Sequence, residues 1–119
     1  MRTGPTNQEL QALIAELRKL SYKEKADIWK RVAVDLAKPA RQRRAINLSR
    51  INRYSSKDET VVVPGKVLAS GVLDHPVSIA AFSFSGAARE TIAKSKGAAI
   101  TIAELLKQNP KGKNVRIIG

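Results

Sequence analysis

Residues 36–57 contain seven cations and no carboxylate: Lys38, Arg41, Arg43, Arg44, Arg50, Arg53 and Lys57. Asp35 and Asp58 stand just outside this window, and Asn47, Asn52 and Tyr54 lie inside it. Like charges at this density repel one another and oppose folding, so a polyanionic partner is the simplest source of compensation. The residue types narrow the chemistry further. An arginine fork matches the geometry of phosphate oxygens, an arginine plane can stack on a base, and tyrosine offers a flat face for an unpaired base. The seven cations, with Tyr54 as the stacking candidate, form the candidate set for a polyanion; Asn47 and Asn52 lie among them, and Lys66, Lys111 and Lys113 are further cations along the chain.

Other chemistries find little support. Arg89, Lys94 and Lys96 read as solubility charges. Lys111-Gly112-Lys113 is a better candidate, because glycine lets a backbone approach a phosphate. Pro64-Gly65-Lys66 lacks the first glycine and the Ser/Thr of a phosphate loop and reads as a strand-linking turn. His75 is the only histidine and lies between Asp74 and Pro76. With no serine elbow to serve and no cysteine in the chain, it reads as a turn residue rather than a base or a metal ligand. Ser83-Phe84-Ser85-Gly86 could hold an anion at a helix start, but an ordinary N-cap is the commoner use of serine there. After residue 60 the only carboxylates are Asp74, Glu90 and Glu104, with no spacing that suggests an acid–base pair. No catalytic residue, metal site or cofactor is expected.

The totals agree with a nucleic-acid partner. The 119 residues suit one compact unit; 43% are hydrophobic, and the net charge is +12. The excess is spread along the chain: residues 1–60 hold 14 basic and 7 acidic groups, and the remainder holds 8 and 3. No apolar leader follows Met1-Arg2 and no run is long enough to span a bilayer, so a soluble intracellular protein is expected, with neither membrane nor small-molecule substrate as partner.

The pattern predicts an α/β fold. Thr6 to Glu9 and Ser21 to Glu24 have the form of capping boxes, each followed by apolar residues at helical spacing, and Pro39 stops the second helix. Residues 1–38 therefore read as a helical hairpin, with Trp29, Phe82 and Tyr22 as packing residues. Residues 39–59 read as a basic arm or loop with a weak strand signal at Ile46 and Leu48. Residues 60–119 read as the α/β unit, probed from its apolar runs: strands at 61–63, 66–69, 77–84, 98–102 and 115–118, and helices from Ser85 and from the Thr101–Glu104 box. A mixed sheet is expected, with a parallel pair from the strand–helix–strand order.

Several strings carry a more specific signal. Asn47-Leu48-Ser49-Arg50-Ile51-Asn52-Arg53 resembles a signature of the ribosomal protein L-eighteen-e family. So do Val61 to Leu68, Leu73-Asp74-His75-Pro76, Ala80 to Ser85, Ala99 to Ile102 and Asn109-Pro110-Lys111-Gly112. The short chain resembles archaeal members, and residues 66–102 are also similar to the C-terminal domain of bacterial L-fifteen. One departure is Lys96-Gly97, where paired glycines are expected. The resemblance implies a cytoplasmic, non-catalytic component of the large ribosomal subunit with a three-layer α/β fold. It implies RNA contacts at Asn47, Arg50, Asn52 and Arg53, and less directly at Lys57, Lys66 and Lys111. Large-subunit ribosomal RNA and neighbouring ribosomal proteins are the expected partners, and the segment 38–57 is expected to be partly disordered until RNA orders it. Two alternatives are a DNA-binding chromatin or regulatory protein, whose helix-turn-helix the hairpin could imitate, and an RNA-modifying enzyme, which lacks any visible site.

Overall fold

A computed structural model describes residues 6–38 and 45–118, with Thr6 and Asn7 as backbone only. Helices α1 (Thr6–Glu24) and α2 (Asp27–Leu36) form the expected hairpin. There follow β1 (Ala45–Asn47), α3 (Leu48–Tyr54), β2 (Glu59–Leu68), β3 (Val77–Phe84), α4 (Gly86–Lys94), β4 (Ala98–Thr101), α5 (Ile102–Gln108) and β5 (Val115–Ile117). The arm expected at residues 40–44 lies outside the described residues.

The sheet is built around β2. One side pairs with β3, which carries β4 beyond it; the other side pairs with β1 near the C-terminal end of β2 and with β5 near its start. The expectation of a mixed sheet is corrected: all four pairings are parallel. Parallel strands need a return path between them. Helices supply three of these returns. The fourth, from β2 to β3, is residues 69–76, which run back over the sheet without a helix. Hydrogen bonds tie this return down, from Ser49 N to Ser70 O, from Asp74 N to Asn52 Oδ1 and from Ser95 Oγ to Leu73 O.

A parallel sheet must be covered on both faces, and alternate residues feed two cores. Val61, Val63, Val67, Ile79 and Ala81 pack with Leu48 and Ile51 of α3 and with Ala88 and Ile92 of α4. Val62 and Ala80 face the other way, onto Leu17, Trp29, Val32, Leu36 and Leu105 of the hairpin and α5. The three expected layers are therefore present.

Local departures have identifiable causes. Val63 pairs with Ala81 but Lys66 with Ser83, so Pro64 and Gly65 oppose a single residue in a bulge within one continuous strand. Proline has no N–H to give the ladder, and a bulge accommodates that without ending the strand. The apparent alternation of Ile46 and Leu48 is broken by a helix starting at Leu48. Only Leu48 and Ile51 mark its buried face, too short a stretch to reveal a helical period. Ser21 and Glu24 sit in the last turn of α1 and do not cap α2; α1 closes with Lys25 at φ 55° and Ala26 N donating to Ser21 O. Strand β4 is a half-exposed edge of the sheet. Tyr22, expected to pack, is 90% exposed. The Ser85 cap and the Thr101–Glu104 capping box both form as read.

Helix α4 ends like α1. Lys96 adopts φ 64°, with Lys96 N donating to Ala93 O and Gly97 N to Ile92 O. A Cβ on Gly97 would lie 2.4 Å from Val77 O, so glycine is required there sterically. Lys96 occupies the left-handed position, where a paired glycine would relieve strain. We expect Lys96→Gly to raise unfolding stability by about 0.5–1 kcal/mol in urea denaturation, and Gly97→Ala to lower it. Equal effects of the two substitutions would contradict this reading of the helix end.

Candidate nucleic-acid interface

Helix α3 positions the largest group of predicted residues. Burial of Leu48 and Ile51 turns Ser49, Arg50, Arg53 and Tyr54 outward. At a rise of about 1.5 Å per residue, this face runs roughly 10 Å along the β1 side of the sheet. Arg50 and Tyr54 are one turn apart, and the guanidinium lies 5.2 Å from the ring centroid. Tyr54 is 48% exposed, so Arg50 covers part of the ring and the pair presents a combined cationic and aromatic surface. Asn47 occupies the N-cap position of α3 but makes no side-chain cap bond. Asn47 lines a shallow recess of about 310 Å³ with Ser49 and Arg50.

Lys57 follows in the turn after α3, and Lys66 is exposed on β2 beside Ala45. Lys38 pairs with Asp35 at 3.2 Å. Arg41, Arg43 and Arg44 lie outside the described residues. Among the described residues, Arg50, Arg53, Lys57, Lys66, Lys111 and Lys113 have no carboxylate within 4.0 Å. Such mutually unneutralised cations are electrostatically suited to phosphate.

Asn52 has a different local task. Its side-chain oxygen accepts from Asp74 N at 3.0 Å, tying α3 to the return segment. Beside it stands an arrangement that the sequence did not disclose. Asp74 Oδ1 lies 3.0 Å from His75 Nδ1, and His75 Nε2 lies 3.0 Å from Ser55 Oγ. Three residues of a hydrolytic triad are thus in line. The polarity is wrong for nucleophilic catalysis, however, because Ser55 Oγ donates its proton to Ile51 O rather than toward the imidazole. The array fastens the C-terminal end of α3 to the start of β3. The histidine contact also holds the Asp74 carboxyl below the usual carboxylate range.

The basic turn at 111–113 is rigidly mounted. Trp29 Nε1 donates to Pro110 O at 2.7 Å, and the Asn109 side chain bonds both the N–H and the carbonyl of Lys113. Gly112 has φ +67°, and a Cβ there would come within 2.6 Å of Ile28. Its small size therefore serves close contact with the hairpin. Lys111 and Lys113 remain exposed on either side.

Lys57 and Lys113 meet across a depression of about 600 Å³ at the starts of β2 and β5, which also includes Arg116. Sequence reasoning passed over Arg116 because its place beside Lys57 depends on the β2–β5 pairing. Its guanidinium bonds Glu59 Oε2 at 3.0 and 3.2 Å, while Ser56 N donates to Glu59 Oε1. These bonds, chiefly that from Arg116, hold the Glu59 carboxyl below its ordinary range, and the carboxylate in turn raises the arginine.

Among the described residues there is no group of three potential metal-ligating acids, histidines or cysteines, and no helix long and apolar enough to cross a membrane. What the fold and its surface define is a small basic three-layer α/β protein whose distinctive feature is a cationic face. The chain matches the family described as ribosomal protein 60S L18 and 50S L18e over residues 2–119, and it belongs to that family. It is 51% identical to large ribosomal subunit protein eL18 of Methanothermobacter thermautotrophicus, over 95% of this chain and 93% of that one. Identity is 50% to the protein of the same name from Methanoregula boonei, with the same coverage, and 47% to that of Sulfurisphaera tokodaii, over 98% of this chain and 96% of the other. Membership makes the chain a structural ribosomal protein of the large subunit, cytoplasmic with the ribosome, and not an enzyme.

Because the carboxyl of Glu59 is lowered on folding, its contribution to stability is full above the ordinary glutamate range and disappears as pH falls through the folded value. Arg116→Met should weaken this contribution, flattening the loss of stability on acidification in denaturation curves measured between pH 7 and pH 3. An unchanged slope would mean the pair makes no linked contribution.

Proposed function

We propose that this protein binds and stabilises large-subunit ribosomal RNA through the segment 39–59, acting as an RNA-binding element between the hairpin and the α/β unit. The observation that carries the reading is the α3 face: Arg50 and Arg53 project from a helix anchored by Leu48 and Ile51, with no acid within 4.0 Å among the described residues, followed by Lys57. Arginine forks and lysines neutralise phosphates and set register, and the Arg50–Tyr54 pair offers a surface for an unstacked base. Asn47 has an amide that its own helix leaves unused. Lys66, Lys111 and Lys113 extend the electropositive surface, with Arg41, Arg43 and Arg44 contributed by the arm and Lys38 at its start. Asn52 acts by holding α3 in place. Close-packed RNA segments would be held together by this neutralisation during assembly, and neighbouring ribosomal proteins would meet the surfaces that RNA leaves uncovered.

Within the segment 38–57, expected to be partly disordered without RNA, residues 45–47 are strand and 48–54 helix. The reading therefore treats this portion as a preformed surface, which lowers the ordering cost of binding. The DNA-binding alternative has no comparable support, since the family is ribosomal.

Binding of the full chain to protein-free large-subunit ribosomal RNA should fall by ~10³–10⁵ between about 50 and 200 mM salt, as expected for six to ten phosphate contacts. Arg50→Gln and Arg53→Gln should each lower the magnitude of the salt slope by about 1. A salt-independent affinity, or equal affinity for duplex DNA at matched salt, would count against the proposal.

A further inference from the structure

The hairpin bears a second surface that the α3 interface does not use. Tyr22 is 90% exposed near the end of α1, and Val34 is 48% exposed on α2. They belong to one open groove of about 830 Å³ at the corner between the helices. Arg18, Lys25 and Lys30 rim it, with Asp27 as its one acid. Arg18 lies one helical turn before Tyr22, and the backbone of Lys25 turns the chain at φ 55°. Among the described residues, none of these cations is within 4.0 Å of a carboxylate.

We propose that this groove receives an unpaired ribonucleotide segment, with a base stacked on Tyr22 and its flanking phosphates held by Arg18, Lys25 and Lys30. The inference rests on ribosomal RNA being the partner but adds a site on the opposite layer, since the hairpin and α3 cover different faces of the sheet. Two features select the occupant. A flat exposed ring with a cationic rim is the combination that binds single-stranded nucleic acid, the ring stacking and the rim following the backbone. A stable protein interface instead needs a sizeable, charge-depleted apolar centre. Here the apolar part is one ring and one valine among cations, which fits a base and two phosphates. The ring is poorly placed for any structural task, because a side chain so exposed contributes little to the core. The consequence is a protein that engages RNA on both faces of its sheet and bridges two segments.

The test is zero-length ultraviolet cross-linking of the full chain to protein-free large-subunit ribosomal RNA, followed by nuclease and trypsin digestion and mass spectrometry. A nucleotide adduct on Tyr22, in the peptide Leu20 to Lys23, is expected. Tyr22→Ala should weaken RNA binding about 5- to 100-fold, Tyr22→Phe should retain most of it, and Arg18→Gln should lower the salt slope by about 1. Circular dichroism should show each variant folded, as the ring lies outside the core. Adducts confined to residues 45–57, with Tyr22→Ala binding normally, would overturn this inference while leaving the α3 interface intact. Adducts at neither place would count against the RNA reading as a whole. In intact large subunits, a Tyr22 cross-link to a neighbouring protein instead of a nucleotide would also overturn it.

Discussion

Everything in this molecule is arranged around a central strand that must be buried on both sides. Val61, Val62 and Val63 are fully covered or nearly so, yet they point alternately into two different cores. Each such side chain contributes about 1.5–3 kcal/mol only while its own face remains covered. A parallel sheet with this demand cannot leave one side to water. The hairpin and α5 must therefore lie on one face and α3 and α4 on the other. That division places the cations of α3 and the tyrosine of the hairpin on separate layers.

Acidic side chains are scarce, and several have defined local partners. Glu59 binds Arg116 and the Ser56 amide, Glu104 closes the capping box of α5, Asp74 faces His75, and Asp35 meets Lys38 and Arg31. The lowered carboxyls of Glu59, Asp74 and Glu104 reflect these contacts. Acids held in this way do little to neutralise the cations on α3 and around residues 111–113, so a positive surface persists on a folded body. A net charge can therefore be a property of how the few opposite charges are placed as much as of their number.

The Asp74–His75–Ser55 array illustrates how composition and spacing can mislead in both directions. Adjacent Asp74 and His75 do point along one line, contrary to the usual expectation for neighbours in a turn, and Ser55 completes the row. Yet the serine proton is directed to a backbone carbonyl one helical turn away. Together with Asn52, the array holds α3 against the helix-free return between β2 and β3. Its effect on RNA contact would come through the position of α3.

The amino-acid sequence alone determined what depends on near neighbours: the charge excess, the hairpin, the strand at Val77 to Phe84, the Ser85 cap and the capping box at Thr101. It also carried the family signature, since those strings are contiguous. Other features depended on residues far apart in the chain. The parallel direction of every strand pair, the bulge at Pro64-Gly65, the inward use of Gly112 against Ile28 and the pairing of Arg116 with Glu59 were all decided by tertiary structure. So were the conversion of a strand-like stretch into α3 and the exposure of Tyr22. Hydrogen bonding within a turn and apolar spacing along a helix act over a few residues, whereas which face is covered, and what is left outside, is decided only when the whole sheet has been packed from both sides.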